Sequence, residues 1–283
     1  MSSHRLLVLG PAALFLAAAF AAGPSPAQAP PQQAVSTERQ LTEEQMTQFL
    51  LTAKVVKSRQ TKKGITNPYR LTLADGSMTH DASFQAIDER KTMMQFSDGH
   101  TEMNFRDSFH YNIAAYELAK LVGLGGMMPV TVERKWGGRT GSLTWWIDDV
   151  MMDEAERIKQ KRQPPDVDEW NKQMHRMRVF TQLVYDTDRN LTNVLISRGW
   201  KMYMIDFTRA FRMSHELENE KNLARCDRQL LENLRRLDRS QVELKTKGHL
   251  NKPEIDGVMA RRDKVVAVFE QLVARQGESA VLY

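Results

Sequence analysis

Three polar residues at fixed spacing constrain this chain more than any other feature. Asp188 lies in the string DTDRNLTN, Asn193 follows five residues later, and Asp206 comes thirteen residues beyond that, in KMYMIDF. A carboxylate that closes a short apolar strand is not a turn residue by pattern. Asp188 suits the task of orienting an attacking hydroxyl. Asn193 and Asp206 offer the hard oxygen donors that hold magnesium against nucleotide phosphates. The pattern therefore points towards phosphoryl transfer, with Arg189 orienting the loop by hydrogen bonds to backbone or carboxylate. A plainer reading stands beside it: Asp188, Asn190 and Asn193 are all favoured in turns for their local backbone hydrogen bonds. Asp186 and Asp188 also spell the DxD of a metal-dependent glycosyltransferase, a three-residue signal common by chance.

The 283 residues are enough for one large domain or two lobes. With 41% hydrophobic and 27% charged residues the chain reads as globular rather than disordered. Its net charge of +5 is spread among interspersed acids and bases, so no basic stripe argues for nucleic acid. The sole cysteine, Cys226, excludes an intramolecular disulfide. His80, His100, His110, His175 and His215 show no metal-ligand spacing, and no serine nucleophile elbow is present.

The first 29 residues read as a cleaved signal peptide: Arg5, an apolar run from Leu6 to Ala22, then small residues, with cleavage expected near Ala21, Ala22 or Ala29. An uncleaved membrane anchor is the alternative; otherwise no stable membrane span is expected. Residues 30–41 belong to a proline-, alanine- and glutamine-rich tether. The chain is thus expected to be exported, periplasmic or secreted.

Beyond the tether, residues 42–150 read as a small lobe and 151–283 as a large helical lobe. Thr42 is a candidate N-cap for a helix through Met46, Phe49 and Leu50. Tyr69, Leu71 and Leu73 alternate up to a turn at Asp75-Gly76, and a second strand runs from Met78 to Ile87. KTMMQF before Ser97-Asp98-Gly99 suggests a third strand, and a helix is expected from Arg106 to Val122. Two strands follow, in MMPVTVERKWGG and GSLTWWIDDV. In the second half, Asp168 is expected to cap a helix bearing Trp170, Met174, Met177 and Val184, which leads into DTDRN. NVLIS and KMYMIDF form a hairpin. Leu223, Cys226, Leu230, Leu234 and Leu237 share a helical stripe, and Asn251 with Glu254 opens the last helix as a capping box.

DRNLTN followed by IDF resembles the D-R-H-x-x-N and I-D-F of phosphoinositide 3-kinase-type lipid kinases, with Asn190 where histidine is usual. NIAAYELAKLVGLGGMMPVTV resembles the small-lobe helix and following strand of secretory-pathway Golgi kinases. The chain is similar, over roughly residues 60–215 by these two motifs, to distant members of the protein-kinase-like superfamily on the lipid-kinase, HipA-type and Golgi-kinase side. The resemblance implies an α+β, two-lobed fold, a small antiparallel sheet lobe with one helix above a mainly helical lobe. It also implies ATP with Mg or Mn as cofactors, and Trp145 and Trp146 beside an adenine slot, although ordinary core packing explains two tryptophans as well. Kinases of this kind pair a strand lysine with a helix glutamate. Here Gln85 stands at the lysine position and Asn112 at the glutamate position. Glu117 is turned away by about 140° on the helix, Lys91 on the next strand is the nearest alternative cation, and Gly64 is the only glycine where a phosphate loop belongs. Two functions follow as expectations: an atypical Mg-ATP phosphotransferase with an unknown acceptor, or an exported, inactive kinase-fold binding module.

Overall fold

The computed structural model describes residues 41–61, 68–96 and 98–283. The expected leader, the tether up to residue 40 and the loop around Gly64 lie outside them. Among the described residues no helix is long and apolar enough to cross a membrane.

The chain opens with α1 (Glu43–Thr52), capped as its sequence indicates: the Thr42 hydroxyl accepts from Gln45 N–H and the Gln45 side chain accepts from Thr42 N–H. β1 (Lys54–Gln60), β2 (Tyr69–Ala74), β3 (Thr79–Gln85), β6 (Thr131–Trp136) and β7 (Arg139–Trp145) form one antiparallel sheet in the order β1-β2-β3-β7-β6. The β2–β3 turn forms because the Asp75 carboxylate accepts from Ser77 and Met78 N–H at 2.9 and 3.0 Å, with Gly76 at φ 90°. Leu71, Leu73, Ala82, Phe84 and Leu143 point to one face and are almost fully buried. Against that face lies α2 (Phe109–Leu121), whose Ala114, Ala115, Leu118 and Ala119 are also closed to solvent.

Along the chain, between β3 and α2, lies a two-stranded hairpin, β4 (Asp88–Gln95) and β5 (Thr101–Ser108). β4 takes the place of the expected third strand, but β5 consumes the first residues of the expected helix, which starts at Phe109 rather than Arg106. Glu102 of this hairpin forms ion pairs with Arg209 and Arg212, so the hairpin clasps the segment that follows Asp206.

The second half begins with β8 (Val150–Asp153) and α3 (Glu154–Lys159), followed by the long α4 (Val167–Val184). The cap of α4 is Asp166, which accepts from Glu169 N–H at 2.9 Å, and Asp168 lies in the first turn. The run DVDE offers caps two residues apart, and only Asp166 has the extended backbone a cap needs. β9 (Val194–Ser197) and β10 (Met202–Met204) pair as expected and join β8 in the order β10-β9-β8. Helices α5 (Arg228–Arg236), α6 (Arg239–Lys245), α7 (Lys252–Gln276) and α8 (Glu278–Val281) complete this half. Leu223 and Cys226 precede α5 instead of belonging to it; Cys226 bridges to Leu282. The Asn251–Glu254 capping box opens α7 as read.

Arg261 of α7 is completely buried and locks this half together. Its guanidinium donates to the carbonyls of Leu183 and Arg212, each at 2.9 Å, and to that of Ser214. One buried and two half-buried carbonyls from two separate segments thereby find a donor.

Candidate functional site

The string DTDRNLTN forms the turn between α4 and β9. Tyr185 ends the helix in the left-handed region at φ 50°, which redirects the chain. Asp186 then turns inward, 2% exposed, and one carboxylate oxygen accepts from Asp188 N–H at 3.2 Å. Its other oxygen binds Arg189 through Nε at 2.7 Å and Nη2 at 2.5 Å. With its carboxylate committed to Arg189, Asp186 does not join Asp188 as the pair a DxD metal site needs.

Arg189 gathers the site's two backbone segments. It donates to the carbonyls of Asn193 at 3.0 Å, Ile205 at 2.6 Å and Asp206 at 3.2 Å, and its guanidinium lies 4.0 Å from the Phe207 ring centroid. Ile205 N–H returns a bond to Asn193 carbonyl at 3.1 Å. Asn193 and Asp206 are therefore held beside each other across the β9–β10 hairpin. The Asn193 amide donates to the Asp188 carbonyl at 3.4 Å, which leaves its Oδ1 as an acceptor. Asp188 itself is exposed.

Asp206 has φ 58°, a conformation that costs free energy and is held by the bonds around it. Burial pushes its carboxyl above the ordinary 3.8; the Arg189 cation opposes this, and the Asp107 charge adds to the rise. Asp107, on β5, is pushed up mainly by burial, against a hydrogen bond from Thr208, and is raised further by Glu89 and Asp188. One Asp107 oxygen is buried with no hydrogen-bond partner among the described residues. Asp107 thus links the charges of Asp188 and Asp206 into one acidic set. Sequence reading missed it, because a lone aspartate just before a helix cap carries no pattern.

The residues at the expected lysine and glutamate positions meet. The Asn112 amide donates to Gln85 Oε1 at 2.6 Å and to Ser142 Oγ at 3.2 Å, and its Oδ1 accepts Phe207 N–H at 2.7 Å. The Gln85 side chain in turn favours the charged form of the Asp206 carboxylate, against the effect of burial. A neutral pair of amides, rather than an ion pair, connects α2 to Asp206. Gly141 permits this geometry: a Cβ there would sit 2.2 Å from the Gln85 carbonyl oxygen.

Gln85, Asn112, Asn193 and Asp206 line one cleft of about 470 Å³ between the five-stranded sheet and the helical half. That volume falls within the usual range for small-molecule sites. Trp145, Trp146, Ile147 and Asp148 also line it. Trp145 stacks on His80 at 3.7 Å, and Trp146 lies under Arg70 at 4.1 Å, so both rings have packing partners. No lysine or arginine lines the cleft among the described residues. Lys91 does not reach it: the side chain pairs with Glu89 at 3.2 Å and borders a different depression, beside Tyr111 and Arg212.

Asp206 and the Asn193 amide supply oxygen donors to the cleft, and Asp107, which is not among the cleft-lining residues, adds its charge beside Asp206. This set fits a hard divalent cation such as Mg or Mn better than a thiophilic metal.

No protein-family model matches the chain, and no curated protein matches it. Solved structures do. The structure of hydra Fam20 with sugar matches with a TM-score of 0.62 at 12% identity, over 85% of this chain and 91% of that one. The Golgi casein kinase matches with a TM-score of 0.58 at 10% identity, over 85% of this chain and 78% of the other. Its structure with Mn/ADP bound matches with the same TM-score at 12% identity and the same coverage. At these identities the similarity is one of fold. The chain has a protein-kinase-like, two-lobed α+β fold.

Proposed function

We propose that this chain with a kinase-like fold is an atypical phosphotransferase that uses ATP with Mg or Mn. The observation that carries the reading is the placement of Asn193 and Asp206 in one cleft, one hydrogen bond from Asp188 and tied together by Arg189. In this reading Asp188 orients an acceptor hydroxyl and takes its proton. Asp206 and Asn193 would hold the divalent cation, which when bound supplies positive charge beside the phosphates, and the Asp107 charge beside Asp206 would reinforce its attraction. Gln85 contributes hydrogen bonds but no charge, so nucleotide affinity depends on the cation more than in an enzyme with a lysine there. Trp145 and Trp146 offer aromatic faces to the base. The Mn/ADP found in the Golgi casein kinase supports this choice of cofactors. The N-terminal pattern supports an exported protein, and the Golgi in that neighbour's name agrees with it.

The neutral Gln85–Asn112 pair and the lack of a cation among the described cleft-lining residues favour a second reading, an exported binding module without catalysis. ATP-to-ADP turnover by the full chain with Mn separates the two. The enzyme reading expects metal-dependent turnover that falls at least about 100-fold in Asp188→Asn while nucleotide still binds. Nucleotide binding with no turnover above the Asp188→Asn level would favour the binding module.

A further inference from the structure

We propose that His110, His249 and Glu133 form a zinc-type metal site that fastens α2 to the helical half of the protein. His110 is the second residue of α2, Glu133 lies on β6, and His249 sits in the turn between α6 and α7. The two Nδ1 atoms are 3.0 Å apart, and a Glu133 carboxylate oxygen lies 3.9 Å from His249 Nδ1. The three ligand atoms all lie within 4.8 Å of one another. Two imidazole nitrogens on a tetrahedral zinc, each about 2.0–2.1 Å from the ion, are roughly 3.3 Å apart. The rings therefore need to separate by only a few tenths of an ångström to receive one. Two histidines and a carboxylate are borderline ligands that suit zinc, with water as the fourth.

The surroundings favour neutral rings, the form that ligates. Burial pushes both imidazoles below the ordinary 6.5. Asp88 and Glu133 pull His110 the other way, while Arg106 and Arg90 reinforce the fall; His249 faces His110 and Glu133. The position gives the site a consequence. α2 carries Asn112, whose side chain holds Gln85 and the Phe207 N–H, so fixing α2 fixes the Gln85–Asp206 contact. A second tie lies nearby: buried Glu254 accepts from Tyr111 and Arg106, both at 2.6 Å. The metal would add a chemically controllable tie beside this permanent one.

The test uses the full chain carrying Asp206→Asn, which weakens cation binding in the cleft, stripped with chelator and titrated with zinc chloride. Calorimetry is expected to give one equivalent of zinc. The melting temperature is expected to rise by roughly 5–10 °C at a free zinc concentration about 100 times Kd. His110→Asn and His249→Gln, which keep polar side chains, are each expected to weaken binding by roughly tenfold or more, and Glu133→Gln to weaken it less. Cobalt(II) in place of zinc is expected to show tetrahedral ligand-field bands that His249→Gln abolishes. Absence of zinc binding would overturn the proposal and leave a hydrogen bond between two neutral imidazoles. Zinc binding unchanged in both histidine variants would overturn it equally.

Discussion

Replacing Arg189 by methionine tests the framework of the candidate site most severely. The substitution keeps much of the aliphatic stem and removes the guanidinium. Asp186, 2% exposed, then retains a charge with no cation beside it, and breaking a buried pair in this way costs about 3–5 kcal/mol. The carbonyls of Ile205 and Asp206 lose their arginine donor, while that of Asn193 keeps Ile205 N–H. Contact with the Phe207 ring is lost as well. These terms share one side chain and do not add, so the expected total remains about 3–5 kcal/mol, a large part of a typical 5–15 kcal/mol stability. Urea denaturation followed by circular dichroism measures it. Asp186→Leu/Arg189→Met, which removes both charges, is expected to lose at least about 2 kcal/mol less than the sum of the single variants. A loss below about 1 kcal/mol in Arg189→Met, or simple additivity in the double variant, would refute the view that this pair organises the loop.

Three further perturbations follow from the geometry. Asp206 has its folded carboxyl pushed above 3.8, so its stabilising contribution is full below that value and is lost as pH rises through the elevated one. Metal-free Asp206→Asn should therefore exceed the parent in stability at pH 7.5 by on the order of 1 kcal/mol, and the gain should fade by about pH 4 in paired thermal melts. Gly141→Ala places a methyl group 2.2 Å from the Gln85 carbonyl oxygen and should cost about 2–3 kcal/mol in urea, whereas a neutral result would deny the close approach of β3 and β7. Arg261→Leu leaves the carbonyls of Leu183, Arg212 and Ser214 without their donor and should cost about 3 kcal/mol or more, read from the urea midpoint.

The legible part of the site was its local part. Asp188, Arg189, Asn193 and Asp206 sit on two segments joined by a short hairpin, so their sequence spacing is close to a spatial statement. Gln85 and Asn112 were singled out through resemblance, and their side chains meet at 2.6 Å. Elements whose burial is irregular were not legible. β1 exposes nearly every side chain, and on β5 only Phe105 and Ser108 are buried, so neither shows a two-residue period. Asp107 depends on the β4–β5 hairpin to bring its charge near Asp206. His110 and His249 lie 139 positions apart, and no spacing rule brings such residues together. Lys91 looked available because it lies on the strand that follows Gln85, but in the hairpin it pairs with Glu89 and does not line the cleft.

The most direct test is calorimetric titration of the full chain with ATP in the presence and absence of Mg or Mn. Saturable, cation-dependent nucleotide binding is expected, and it is expected to disappear in Asp206→Ala with the folded state retained. No binding at about millimolar nucleotide with either cation, equivalent to an affinity weaker than about 4 kcal/mol, would contradict the phosphotransferase reading.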